Sequence, residues 1–117
     1  MGLSGAEVSI ELSAAKIRRL GGTGGHESLP YGVVSYGYLP LMIFRNCPVK
    51  NAMGCRKCGK QFRPVTDRTG AEFFVDCESG GQCSCLFNGT PLYLADRLED
   101  FAGVSWHALY FTRESPE

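Results

Sequence analysis

The residues of this 117-residue chain with the plainest chemistry are its six cysteines: Cys47, Cys55, Cys58, Cys77, Cys83 and Cys85. They run Cys47-x7-Cys55-x2-Cys58-x18-Cys77-x5-Cys83-x1-Cys85, with none in the 46 residues before them or the 32 after. A disulfide scaffold spreads its cysteines along the chain and follows a secretory signal. Clustering of this kind favours instead a metal or iron–sulfur site in a reducing compartment. Cys55-x2-Cys58 is the most diagnostic step, because a two-residue spacer lets both thiolates face one ion. Gly54 and Gly59 flank it with the backbone freedom of a tight turn. Cys47 upstream and Cys77 beyond a hairpin complete a set of four ligands. Cys83 and Cys85, one residue apart, are poorer ligands for a common ion and stand as substitutes for Cys77. Zinc takes four thiolates tetrahedrally, and a [4Fe–4S] cluster takes the same number, with Cys47-Pro48 echoing the Cys-Pro step of ferredoxins. Spacing does not separate zinc from the cluster, and disulfides or free thiols are the remaining readings.

The charges around these cysteines are uneven. Twelve basic and twelve acidic residues cancel overall, so net charge argues for neither a nucleic-acid nor a membrane-surface role. Seven of the twelve basic residues nevertheless fall within 45–68: Arg45, Lys50, Arg56, Lys57, Lys60, Arg63 and Arg68, opposed there only by Asp67. Such a surplus offsets the negative charge of a four-thiolate site and favours ionised thiols. Interleaved with Phe44 and Phe62, the same 45–68 cluster offers a surface for RNA, although charge compensation is the favoured reading.

Hydrolytic chemistry has thinner support. His26 sits in a glycine-rich linker, and His107 alternates within an apolar strand beside Trp106, where a structural histidine is expected. Neither an HExxH zinc-protease motif nor a GxSxG elbow occurs. A Cys–His dyad using Cys83 or Cys85 would depend on folding alone. No catalytic residue is assigned.

These side chains need elements to position them. Residues 7–12 alternate polar and apolar, as a short strand does. Ser13 then caps a helix through Ala14, Ile17 and Leu20, which Gly21 is placed to stop. The 21–25 glycine run follows a helix and lacks the Lys-Ser/Thr of a phosphate loop, so it reads as a linker. Residues 32–38 form a second strand, extended by Leu41–Arg45 after a break at Pro40. Strand, helix and strand in this order suggest a βαβ unit with parallel strands. Asp67-Arg68-Thr69-Gly70 is a turn signal between strand-like runs 61–66 and 71–76, which predicts a hairpin. Thr90 and Pro91 start a helix on which Leu94, Leu98 and Phe101 repeat, ended by Gly103. Residues 104–111 are apolar on both faces, as in a buried parallel strand.

The expected fold is therefore α/β: a partial (β/α) barrel-like β-α-β…α-β unit with a Cys-rich β-hairpin insertion. The expected divisions are a βαβ unit at 7–45, the Cys-rich insertion at 46–89, and a helix with final strand at 90–112. Together these make 1–117 a single domain or a fragment of a larger barrel. An open sheet edge would be covered by the remainder of that barrel or by a second copy. With no apolar run near the roughly 18 residues of a membrane helix and no signal-like start, the chain is expected to be cytoplasmic, without a membrane partner.

Six short motifs then follow in order: Tyr36-Gly37-Tyr38-Leu39-Pro40-Leu41-Met42, Arg45-Asn46-Cys47-Pro48, Gly54-Cys55-x2-Cys58, Asp67-Arg68-Thr69-Gly70, Asn88 through Pro91 to Leu98, and Tyr110-Phe111-Thr112. Over roughly residues 7–114 the chain resembles the later part of the peptidase family U32 proteins, the collagenase-like proteases. The resemblance implies the last strands of a (β/α) barrel and a cluster held by Cys47, Cys55, Cys58 and Cys77. It also implies a protease label or, as in several relatives, an iron–sulfur enzyme that hydroxylates RNA bases or a quinone precursor. A stand-alone structural zinc module acting in RNA or protein binding is the alternative.

Overall fold

The computed structural model describes residues 2–22, 29–58, 62–77 and 83–114. His26, Gly59, Lys60 and most of the 21–25 glycine run lie outside the described residues. In chain order the elements are β1 (Ala6–Glu7), α1 (Ala14–Gly22), β2 (Tyr31–Gly37), β3 (Pro40–Phe44), α2 (Pro48–Met53), α3 (Cys55–Cys58), β4 (Arg63–Thr66), β5 (Glu72–Cys77), β6 (Ser84–Asn88), β7 (Leu92–Tyr93), a 3₁₀ segment (Ala95–Phe101) and β8 (Trp106–Tyr110). They form two compact units, residues 1–37 with 92–111 and residues 38–91 with 112–117.

In the first unit β2 is central. β8 runs parallel to it from Gly32↔Trp106 to Gly37↔Tyr110. The two-residue strands β1 and β7 hold its first and last residues, parallel and antiparallel respectively. Ser13 starts α1, its carbonyl accepting the N–H of Lys16 at 2.9 Å and of Ile17 at 3.0 Å. Ile17 is the helix residue that reaches the core, packing with Tyr31, Val33 and Phe101. Arg18 reaches Asp100 at 3.2 Å and Arg97 reaches it at 2.8 Å. Both pairs are solvent-facing, so they align the helix and the 3₁₀ segment more than they stabilise them.

The second unit is an antiparallel sheet in the order β3-β6-β5-β4. Its core gathers Val49, Cys58 and Val75, with Cys47, Val65 and Leu86 packed against them. Phe74 is 3% exposed. It meets the Tyr38 ring edge-on at 6.0 Å, and the Arg113 guanidinium lies 3.5 Å from its centroid. The β4–β5 hairpin turns at Asp67, whose Oδ1 accepts the Thr69 N–H and hydroxyl, each at 2.7 Å, and the Ala71 N–H at 3.0 Å. These bonds, the Thr69 hydroxyl first, hold the Asp67 carboxyl below its ordinary range.

The expected partial (β/α) barrel is not what forms: the chain builds two sheets, one mixed and one purely antiparallel. Four local causes account for the difference. The 7–12 strand stops at Glu7, because Ser9 folds residues 9–12 into a turn through Leu12 N–H to Ser9 O at 3.1 Å. Pro40 does not interrupt one strand but starts a new one, β3, which pairs with β6 in the other sheet. The cysteine-rich stretch does interrupt the first unit in sequence, but it builds most of a four-stranded antiparallel sheet and not a lone β-hairpin. After Pro91 the chain first pairs Leu92 and Tyr93 with β2, which delays the helix to Ala95 and leaves it 3₁₀ with a break at Arg97. Finally, β8 does run parallel to β2, but it is exposed on both faces: Leu109 is 54% and Tyr110 44% accessible. Among the described residues no helix is long and apolar enough to cross a membrane.

Candidate metal centre

Cys47 ends an extended segment (φ −64°, ψ 121°) directly before Pro48, which opens α2 at the position where a missing N–H costs nothing. Its carbonyl accepts the Asn51 N–H at 3.2 Å. Gly54 then turns the chain with φ +78°, its N–H closing α2 on the Lys50 carbonyl at 2.9 Å. No side chain adopts that backbone comfortably, which explains a glycine immediately before Cys55. The next residues form α3, a single turn. Cys55 and Cys58 stand three apart on it, on one helix face. Cys55 is exposed and Cys58 is buried in the Val49–Val75 cluster.

Arg63, the first residue of β4, holds this turn from its C-terminal end. Its Nε donates to the Cys58 carbonyl at 2.8 Å and its Nη2 to the Lys57 carbonyl at 3.1 Å. A one-turn helix leaves its last carbonyls without intrahelical partners, and the guanidinium supplies them.

Cys77 ends β5 opposite Ser84 on β6. Ser84 is 2% exposed, and its hydroxyl serves the Cys47 sulfur. Burial pushes the Cys47 thiol up. The Ser84 hydroxyl, the backbone N–H groups of Lys50 and Val49 and the Lys50 ammonium outweigh it, so the net shift is downward. The sulfur closes no full cap hydrogen bond on α2, yet the two amides still favour its charged form. Cys85 sits opposite Asp76 on one side and Ile43 on the other. It lines a separate depression of about 300 Å³ with Cys83, Ser84 and Asp76.

None of the six cysteines is in a disulfide. Cys47 and Cys58 share one apolar cluster, and Cys77 adjoins it through Ser84. Cys55 faces solvent one turn from Cys58. Among the described residues no group of three or more His, Cys, Asp or Glu side chains is placed to hold an ion. Thiols are the donor type a thiophilic ion takes, and Cys47, its pKa lowered with Lys50 beside it, is the one biased toward thiolate.

Two side chains of the candidate site escape a reading by spacing. Ser84 is invisible between Cys83 and Cys85 until strand register sets it against Cys77, and Arg63 looks like one more member of the basic run. Of that run, Arg45, Lys50, Arg56, Lys57 and Arg68 are exposed. Phe62 packs on Phe87 at 5.6 Å, so its ring is already in contact with another aromatic. No protein-family model matches the chain, and no curated protein or solved structure is similar to it.

Proposed function

We propose that this chain is the cysteine-bearing section of a U32-type protein and that its task is to hold a thiophilic centre, zinc or a [4Fe–4S] cluster, through Cys47, Cys55, Cys58 and Cys77. The observation that carries the reading is the convergence on one apolar cluster of Cys47 and Cys58, with Ser84 reaching the Cys47 sulfur from the position opposite Cys77. A structural zinc would lock α3 against the sheet, whereas a cluster would add electron transfer to the enzyme that contains it. The chain's own contribution is to lower the Cys47 pKa, through the Ser84 hydroxyl ahead of the Lys50 ammonium, and to present Cys55 and Cys58 from a turn that Arg63 caps.

Anaerobic purification followed by iron, sulfide and zinc analysis tests the proposal. One zinc, or four irons with four sulfides, per chain is expected. Serine at any of the four positions should abolish stoichiometric loading, while Cys83→Ser and Cys85→Ser should leave it intact. A colourless protein with neither metal and six titratable thiols would overturn it. Chelation separates the two forms of the reading. A structural zinc contributes roughly 10–16 kcal/mol in small modules, so its removal should collapse the far-UV circular dichroism.

A further inference from the structure

No cysteine lines the groove that opens at the outer edge of the second unit. β4 is the last strand of its sheet, and Arg63 and Val65 lie on the face that carries their partners Val75 and Phe73. Val49 of α2 belongs to the same apolar cluster as Val75 and Val65, which seats the helix over this face. Between α2 and β4 remains a groove of about 410 Å³, walled by Ala52 and Met53 on the helix and by Arg63, Pro64 and Val65 on the strand. That size falls within the range of about 300–1,000 Å³ typical of ligand pockets. Among the described residues no aromatic ring and no carboxylate lines it, and Met53 is 46% exposed.

The rim of this groove is cationic. Arg63 uses Nε and Nη2 on backbone carbonyls, which carry no formal charge, and among the described residues its Nη1 stays unengaged. Those bonds hold the end of α3 against Arg63, so Lys57 stands beside the groove, and Lys50 belongs to the helix that walls it. Among the described residues the ion pairs lie in the first unit, so Lys50, Arg56, Lys57 and Arg63 meet no carboxylate. Within 45–68 seven cations face one acid, Asp67, whose carboxylate is engaged in its own hairpin turn. A filled four-thiolate site would offset only about two of those charges.

We infer that this groove docks an acidic linear peptide, with an aliphatic side chain seated between Met53 and Val65 and a neighbouring carboxylate on the Arg63 guanidinium. Apolar walls take the side chain by burial, and the unbranched Met53 adapts to its shape. A guanidinium meets a carboxylate through planar, charge-assisted bonds and keeps its charge at any working pH. Pro64 removes an N–H from the outermost strand, so the partner is held through side chains and not by extending the sheet. Nucleic acid fits less well, because single strands are held by stacking bases on rings and no ring lines this groove. Docking here needs no bound ion and is independent of the metal centre.

The probe is a fluorescein-labelled peptide of repeated Glu-Leu-Glu, titrated into the full chain and followed by fluorescence anisotropy. Saturable one-to-one binding that weakens as salt rises is expected, and it should weaken when serine replaces the leucines or glutamine the glutamates. Met53→Glu, which places a carboxylate in the groove wall, should bind about tenfold more weakly. Lys57→Glu should also lose affinity, whereas Arg68→Glu, on the hairpin turn, should bind as the native chain does. Met53→Ala, a helix-favouring change at an exposed position, replaces the glutamate variant if that fails to fold and should weaken binding about threefold. Absence of saturable binding, native affinity in both Met53 variants, or equal binding of the serine or glutamine peptide would overturn the inference. An oligouridylate bound more tightly than the peptide, or equal losses in Arg68→Glu and Lys57→Glu, would overturn it too, since either marks a general polyanion surface.

Discussion

Removing the guanidinium of Arg63 is the most direct test of how the proposed metal ligands are presented. Its two hydrogen bonds end on the Cys58 carbonyl at 2.8 Å, half-buried, and on the Lys57 carbonyl at 3.1 Å, exposed. A shielded bond from a charged donor contributes about 1.5–3 kcal/mol, and the exposed one only a few tenths. Arg63→Gln, too short to serve both carbonyls, should therefore cost about 2 kcal/mol without metal, or roughly 8 °C in Tm for a chain of this size. The same change frees the C-terminal end of α3, on which Cys55 and Cys58 are aligned. Groups that orient metal ligands typically change affinity by about 10–100-fold when removed, so zinc should be held that much less tightly. Competition against a chromophoric chelator at neutral pH measures the affinity, and thermal melting of the metal-free chain measures the stability. Arg68→Gln is the control, since it removes the same charge from the exposed hairpin turn. Unchanged zinc affinity in Arg63→Gln, or an equal loss in Arg68→Gln, would refute the role given to the capped turn.

Three further outcomes follow from individual contacts. Gly37 has φ +136°, and an added Cβ would lie 2.5 Å from the Tyr110 carbonyl oxygen; Gly37→Ala should lose about 1–3 kcal/mol, and an unchanged urea midpoint would reject this. The depressed Asp67 pKa means that its contribution is present above the unfolded-state value and is lost as pH falls through the lower folded-state one. The Tm gap between the native chain and Asp67→Ala should therefore narrow in acid, and a gap that persists at low pH would count against it. Tyr110 donates its hydroxyl to Glu7 Oε1 at 2.6 Å, and this bond, with burial and the carboxylate charge, raises its pKa. Its contribution is present below the ordinary tyrosine value and lost as pH rises through the raised one. In Glu7→Gln the tyrosinate absorbance should appear at lower pH, and a coincident titration would rule the contact out.

The features legible in the sequence are those that a few adjacent residues decide. Asp67-Arg68-Thr69-Gly70 marks the hairpin because the carboxylate closes the turn on residues two and four ahead. Ser13 and Ile17 mark α1 because start and buried face lie within one helical turn. The misread features depend on choices made between distant segments. The β-prone residues of 32–38 and 41–45 mark strands, but do not show that Pro40 begins a strand of another sheet. Apolar residues on both faces of 104–111 predict burial only if something covers both faces, and among the described residues β8 has β2 alone as a pairing neighbour.

The candidate metal centre divides along the same line. Cys55-x2-Cys58 is a local device, so spacing alone identifies it and Gly54 makes its turn. Ser84 in the candidate site, and Ser35 in the other sheet, acquire partners only through register: Ser84 because β5 and β6 set it against Cys77, Ser35 because β2 slips by one residue against β8. Moving either strand by one position would carry the hydroxyl to the opposite face and away from its partner. A serine between two cysteines or inside a valine-rich strand has no sequence signature of its own. What distinguishes these two is that each is almost fully buried, and a buried hydroxyl persists only where a partner satisfies it. For Ser84 that partner is the Cys47 sulfur, and for Ser35 it is the His107 ring. Replacing Ser84 with alanine therefore tests the register and the candidate site in a single measurement.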